Sequence, residues 1–164
     1  MPLEIERKFL LKNDSWRKLT DAGIRYRQGY LTAIGSPSSV RLRLSGDAAW
    51  INIKSVTLGM TRSEFEYSIP YADAQEMLDG LCARPKLSKT RFKISVGKHV
   101  WEIDVFEAEN VGLILAEIEL ERENETFLKP DWVGNEVTQD PRYYNVNLVL
   151  NPYCLWSHNS ILNE

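Results

Sequence analysis

Residues 3–9 read Leu3-Glu4-Ile5-Glu6-Arg7-Lys8-Phe9. In an extended chain, neighbouring side chains point to opposite faces, so Glu4, Glu6 and Lys8 share one side of a strand and Leu3, Ile5 and Phe9 the other. The same beat of two recurs along the chain. Arg41 and Arg43 alternate with Val40, Leu42 and Leu44, and Asn52 and Lys54 with Ile51 and Ile53. Arg62, Glu64 and Glu66 alternate with Phe65 and Tyr67, while Lys89 and Arg91 keep the beat ahead of Phe92. Glu102 and Asp104 alternate with Trp101, Ile103 and Val105, and Glu117, Glu119 and Glu121 with Ile118 and Leu120. This pattern predicts strands over 1–12, 26–33, 40–45, 50–55, 62–69, 89–96, 100–106 and 113–122. The run Val96-Gly97-Lys98-His99-Val100 predicts a hairpin between two of them.

Helix signals are fewer. Asp73 with Glu76 three residues on has capping-box spacing, and Ala74, Met77, Leu78 and Leu81 form an apolar stripe. Asn13 or Asp14 can cap a short helix carrying Trp16 and Leu19, and Asp140-Pro141 is a cap followed by a first-turn proline. The whole reads as an α+β domain. Eight strands permit a closed antiparallel eight-stranded β-barrel with a few helices packed outside. One domain is expected over residues 1–152, followed by a peripheral tail at 153–164.

Composition limits the function classes. The 164 residues carry 20 Lys+Arg and 23 Asp+Glu, a net charge of −3, which argues against general nucleic-acid binding. No stretch approaches the ~20 apolar residues that span a bilayer. Charges from Glu4 onward are unlike a signal peptide, so the expected location is cytoplasmic. Cys82 and Cys154 lie outside any CxxC or Cys/His cluster and read as reduced, partly buried thiols. His99 and His158 fit no ligand or triad spacing. There is no Walker loop, no GxGxxG and no GxSxG elbow. The five tryptophans read as packing residues, and Arg84 and Lys86 as surface decoration.

The charged faces are almost purely ionic and sorted by strand. Cations dominate around Arg41, Lys54 and Lys89, and anions around Glu102 and Glu117. A single charged strand face is normally a solvated one. Closed into a barrel with these faces inward and the apolar faces outward under helices, the strands enclose opposed walls of cations and carboxylates. Burying so many ions is costly unless each is paired or ligated. The guest suited to such a hollow is a polyanion whose phosphoryl oxygens meet Arg and Lys, with Mg2+ or Mn2+ held by the carboxylates.

The segments Glu4-Ile5-Glu6-Arg7-Lys8, Gln28-Gly29-Tyr30-Leu31, Val40-Arg41-Leu42-Arg43, Ile53-Lys54 and Arg62-Ser63-Glu64-Phe65-Glu66-Tyr67 occur in this order. They are followed by Lys89-Thr90-Arg91-Phe92, Trp101-Glu102-Ile103-Asp104-Val105-Phe106 and Ala116-Glu117-Ile118-Glu119-Leu120-Glu121. The series ends with 132–138 and Arg142-Tyr143-Tyr144-Asn145. It resembles the CYTH superfamily, the triphosphate tunnel metalloenzymes, and within it the short bacterial tripolyphosphatase branch.

The resemblance implies a β-tunnel that hydrolyses linear triphosphates with a divalent metal. It implies Glu4, Glu6, Asp104, Glu117 and Glu119 as metal ligands, with Glu64, Glu66, Glu102 and Glu121 as helpers. It also implies Lys8, Arg41, Arg43, Lys54, Arg62 and Arg91 as phosphate contacts, and Lys89 with Tyr30 as the pair that prepares the attacking water. Cations around Lys89 and partial burial would lower its pKa toward a proton-accepting form. Segment 132–138 is expected to fold over one mouth, and the tail from Cys154 onward has no counterpart in the pattern. The expected partner is a linear triphosphate substrate, with no nucleic acid and no membrane, and a homodimer is left open. The competing readings are a class IV-type adenylyl cyclase, a thiamine triphosphatase, or a non-enzymatic polyphosphate-binding module.

Overall fold

The period-two segments all form strands. In the computed structural model, which describes residues 3–33, 36–55, 60–82 and 86–156, they are β1 (Leu3–Leu11), β2 (Ile24–Tyr30), β3 (Ser38–Ser45), β4 (Ala48–Ser55), β5 (Thr61–Ile69), β6 (Leu87–Val96), β7 (His99–Phe106) and β8 (Ile114–Glu119). They pair antiparallel in the order β5-β4-β3-β2-β6-β7-β8-β1. The first half of β1 then pairs back onto β5, with Leu3 opposite Ser63, Glu4 opposite Arg62 and Ile5 opposite Thr61. That closes the eight-stranded barrel expected from the alternation and removes the sheet edges. The expectations for Arg84, His158 and the tail beyond Trp156 fall outside the described residues.

Segment 132–138, expected to fold over one mouth, places Val137 in the core at one end of the barrel. It supplies a ninth strand, β9 (Val133–Glu136), added to the second half of β1 with Phe9 opposite Glu136 and Leu11 opposite Val133. Gly134 permits this close approach, since a Cβ there would lie 3.0 Å from the Leu10 carbonyl oxygen. The strand is four residues long and lacks a period-two apolar pattern, so it is specified by β1 rather than by itself.

Helix α1 (Tyr71–Gly80) starts earlier than its capping signal suggests. Pro70 is the N-cap and its carbonyl accepts from Ala74 N at 3.0 Å, so Asp73 lies within the first turn and makes no cap hydrogen bond. Its carboxylate there still favours the positive helix end. Ala74 and Leu78 pack on Leu44 and Ala49, on the outer face of β3 and β4. The short helix after Asn13 is 3-10, Ser15–Leu19; Asn13 Oδ1 accepts from Ser15 N at 2.9 Å, and Trp16 packs against Phe92. Asp140 caps the 3-10 turn Pro141–Tyr143 as expected, accepting from Arg142 N at 3.0 Å. Helix α2 (Asn145–Leu150) follows and stops before Pro152.

Phe9, Trp101, Ile103 and Ile118 form the main core on the outside of the barrel, under Trp16, Trp132 and Phe127. Helices do not cover every outer face: Leu3, Phe65 and Tyr67 on β1 and β5 are exposed. A second core fills one end of the barrel. There Tyr30, Leu87, Phe106 and Leu115 meet Tyr143, Leu148 and Val149. The described part of the tail packs onto this plug, with Trp156 edge-on to Tyr143 at 5.1 Å between ring centres. Both cysteines are free, but Cys154 is exposed rather than partly buried. Among the described residues no helix is long and apolar enough to cross a membrane.

Candidate active site

Residues directly opposite one another on antiparallel strands share a face, so the register carries β1's charged side around the whole interior. Lys8 stands opposite Glu117 and Glu6 opposite Glu119. Glu102 is opposite Glu117, Arg91 opposite Asp104, Lys54 opposite Glu64, and Arg41 opposite Asn52. Of these, Glu6, Arg41, Lys54, Glu64, Arg91, Glu102, Glu117 and Glu119 line a cavity of about 230 Å³ with Glu4, Arg43, Glu66 and Asn145. A smaller lobe of about 40 Å³ adds Lys8, Tyr30, Ser39, Asn52, Arg62, Tyr144 and Val146, and shares Glu6, Arg41, Lys54 and Asn145 with the larger one.

The cations are held by carboxylates. Lys54 Nζ lies 2.9 and 2.7 Å from the two oxygens of Glu4 and 3.8 Å from Glu64. The Arg91 guanidinium reaches Asp104 at 2.7 and 2.8 Å, Glu102 at 2.8 Å and Glu117 at 3.2 Å. Lys8 Nζ donates to the Tyr143 carbonyl at 3.1 Å and lies 3.4 Å from Glu117. Lys8 and Arg62 both lie over the Tyr144 ring, at 5.7 and 5.3 Å. Arg43 approaches Glu66 at 3.6 Å and rests against Tyr26 and Trp50. Its guanidinium pKa is lowered by burial and by neighbouring Arg41 and Arg91.

The carboxylates outnumber these partners. In the larger lobe seven glutamates face four cations, and two cross-strand pairs, Glu6–Glu119 and Glu102–Glu117, set like charges opposite each other. The Glu119 carboxyl is pushed above its ordinary range by burial, then by Glu4, Glu64, Glu6 and Glu102. Among the described residues, Glu4 Oε2 and Glu117 Oε1 are buried and accept no hydrogen bond, and they face the ammonium groups of Lys54 and Lys8. Surplus negative charge and hard oxygen donors fit Mg2+ or Mn2+. Among the described residues, however, no three potential ligands are already gathered for a metal, because ammonium and guanidinium groups stand between the glutamates.

Two expected site residues sit behind the cavity rather than on it. Lys89 and Asp104 are both fully buried, and Lys89 Nζ donates to Asp104 Oδ2 at 2.6 Å. The other Asp104 oxygen accepts from Arg91 Nε at 2.7 Å, so both oxygens are taken. Lys89 is pushed down to about 8 by burial, helped by Arg91 and Arg41 and opposed by Asp104 and Glu117. Asp104 is held well below the usual carboxylate range by Arg91 and Lys89, against the effect of its burial. Tyr30 does line the smaller lobe, but its charged neighbours are Arg41, Arg62 and Glu117, and Lys89 is not brought to it. Burial raises the Tyr30 hydroxyl, so it stays protonated at neutral pH. Glu121 lies outside the cavity, exposed, with its backbone N–H donating to Glu125 at 2.6 Å.

Asn52 escaped the sequence reading as a site residue, although it lies on the same beat as Lys54. Its amide nitrogen donates to Glu64 at 2.7 Å and to Glu66 at 3.2 Å, fixing two cavity carboxylates. Outside the cavity, His99 Nε2 pairs with Glu125 Oε1 at 2.8 Å beside Lys98 at 2.9 Å. Those contacts and the Glu121 N–H hold Glu125 down to about 2.

The CYTH domain description matches residues 2–149, nearly all of the barrel and its plug. The chain belongs to the CYTH family. Among its CYTH relatives is an inorganic triphosphatase of Acetivibrio thermocellus, 46% identical over 153 residues, which are 93% of this chain and 97% of the relative. An inorganic triphosphatase of Nitrosomonas europaea is 36% identical over 151 residues, 90% of this chain and 97% of that protein. The crystal structure of the inorganic triphosphatase NE1496 superposes with a TM-score of 0.64 at 32% identity, covering 92% of this chain and 96% of that one. A Hippeastrum structure at 17% identity and a TM-score of 0.57, covering 73% of this chain and 80% of its own, shares the CYTH fold alone.

Proposed function

We propose that this chain is an inorganic triphosphatase. It hydrolyses tripolyphosphate with water to pyrophosphate and phosphate, using Mg2+ or Mn2+. The observation that carries this reading is the barrel interior, where cations and surplus carboxylates line one connected cavity. The two CYTH relatives that bear this activity in their names cover almost the whole chain.

Phosphoryl transfer asks the protein chiefly for positioning and charge neutralisation. Lys8, Arg41, Arg43, Lys54, Arg62 and Arg91 hold the phosphoryl oxygens and take up charge as the anhydride bond breaks. Glu4, Glu6, Glu117 and Glu119 would hold the divalent ion, and Glu64, Glu66 and Glu102 shape the same wall. A divalent ion bound there neutralises phosphate charge and lowers the pKa of its water. The Tyr30 hydroxyl, kept neutral by burial, orients the attacking water by hydrogen bonding. Lys89 and Asp104 act from behind by fixing Arg91.

The test is phosphate release from tripolyphosphate, ATP and thiamine triphosphate, each with Mg2+, Mn2+ or excess chelator. Tripolyphosphate is expected to be the fastest substrate, and chelator to abolish turnover. Full activity in chelator, or cyclic nucleotide as the main product from ATP, would overturn this reading.

A further inference from the structure

Gln28 is fully buried on β2, and neither its amide nitrogen nor its amide oxygen has a partner among the described residues. Buried polar groups are nearly always paired, and an amide left with both ends free favours replacement by an apolar side chain. An apolar side chain would suit the position, because Gln28 faces Leu87 across β6. On its other side it stands directly opposite Arg43 on β3. Arg41, two residues further along β3 on the same inward face, is opposite Tyr30. Arg41 Nε and Arg43 Nε are buried and equally without a partner among the described residues.

The outer ends of both guanidinium groups are engaged. Arg41 is hydrogen-bonded to Tyr30, and Arg43 is held between the Tyr26 and Trp50 rings near Glu66. The register thus sets the Gln28 amide beside these two Nε groups, three donor atoms and one acceptor on adjacent strands, behind the guanidinium ends that reach the cavity lining. Buried water typically satisfies such groups by making about three hydrogen bonds.

We propose that Gln28 is a positioning residue that, through internal water, fixes the guanidinium planes of Arg41 and Arg43 toward the phosphates. This rests on the triphosphatase reading for the identity of the anion. The amide is retained at a cost in stability because it orders the two arginines.

The experiment compares wild type with Gln28→Met, measuring thermal midpoint, calorimetric affinity for tripolyphosphate in chelator, and steady-state kinetics with Mg2+. Chelator isolates the cation contacts from the metal. Gln28→Met is expected to melt at or above the wild-type temperature and to bind metal-free tripolyphosphate about tenfold more weakly, the size of one hydrogen bond to a charged group. KM should rise by a similar factor, with kcat within about twofold. Unchanged affinity in the folded variant would mean that Gln28 does not order the arginines, and overturns the proposal.

Gln28→Glu is the second variant. Its carboxylate pairs with Arg41 and Arg43 and competes with phosphate, so affinity should fall by more than tenfold, whereas wild-type affinity in that variant overturns the proposal as well. Loss of the triphosphatase reading would appear separately, as absence of turnover by the wild type.

Discussion

Lys89 has no exposed surface, and its ammonium is bonded to a carboxylate that Arg91 also grips. A proton acceptor must come within hydrogen-bond reach of the water it activates, directly or through one further water. Lys89 instead braces Asp104 and, through it, the guanidinium that spans Glu102 and Glu117. Removing one partner of a buried ion pair costs about 3–5 kcal/mol. Because Arg91 still pairs Asp104, Lys89→Met is expected near the lower end, a fall in Tm of about 6–12 °C. KM for tripolyphosphate should rise more than kcat falls, and the pH–rate profile should keep its shape. A fall in kcat of about 10²-fold or more at unchanged KM, with loss of a limb near pH 8, would instead make Lys89 the base. Stability supplies an independent check. The folded-state value of about 8 lies below the ordinary 10.5, so between these values the unfolded chain binds the extra proton. Wild type should therefore gain stability relative to Lys89→Met as pH rises from about 8 to 10.5, and differ by a constant amount below that window.

Gly29 shows how tightly α1 is laid on the barrel. A Cβ at this position of β2 would come within 2.8 Å of Leu78 Cδ1, 3.0 Å of Cys82 Cβ and 3.1 Å of Cys82 Sγ. Those atoms are side-chain atoms at the end of the helix and just after it, so Gly29→Ala must displace the Leu78 and Cys82 side chains packed against β2. Overpacking of this kind costs about 1–3 kcal/mol. The expected outcome is a fall in Tm of about 3–10 °C by calorimetry, with kcat near wild type well below the transition, since α1 does not line the cavity. An unchanged Tm would mean that α1 is loosely held. The strands were legible in the sequence because Glu4-Ile5-Glu6 and Ala116-Glu117-Ile118-Glu119 write both faces of the sheet into alternate residues. The helix starts were less so: Asp73 and Glu76 have the spacing of a capping box, yet Pro70 fixes where the chain can begin to coil. β9 was illegible because its four residues gain their order from the β1 edge they meet.

The beat of two tells which face a residue occupies but not how far along the barrel it lies, which is why Lys89 and Asp104 were expected beside Arg91 on the cavity. The inward face also carries Leu87, Phe106 and Leu115, and these join α2 in the plug that closes over the two buried ions. Beyond the plug the interior has two unlike walls that remain partly unneutralised: seven glutamates meet four cations in the larger lobe, while Lys8 and Arg62 add positive charge in the smaller one. A triphosphate alone would meet the glutamates as well as the arginines and gain little. A divalent ion alone would relieve Glu6–Glu119 and Glu102–Glu117 but still face Lys54 and Arg91 nearby. Bound together, each neutralises the charge that repels the other, so their binding energies are coupled. A ligand at one hundred times its dissociation constant stabilises the fold by about 2.7 kcal/mol, about 5–10 °C for a chain of this length. Thermal-shift measurements should therefore give a small rise with Mn2+ or Mg2+, less with tripolyphosphate in chelator, and a rise with both that exceeds the sum of the two. A non-hydrolysable triphosphate analogue keeps turnover from depleting the ligand during the scan. Merely additive shifts would mean that metal and phosphate occupy independent sites, and the opposed walls would then have to be explained without a shared guest.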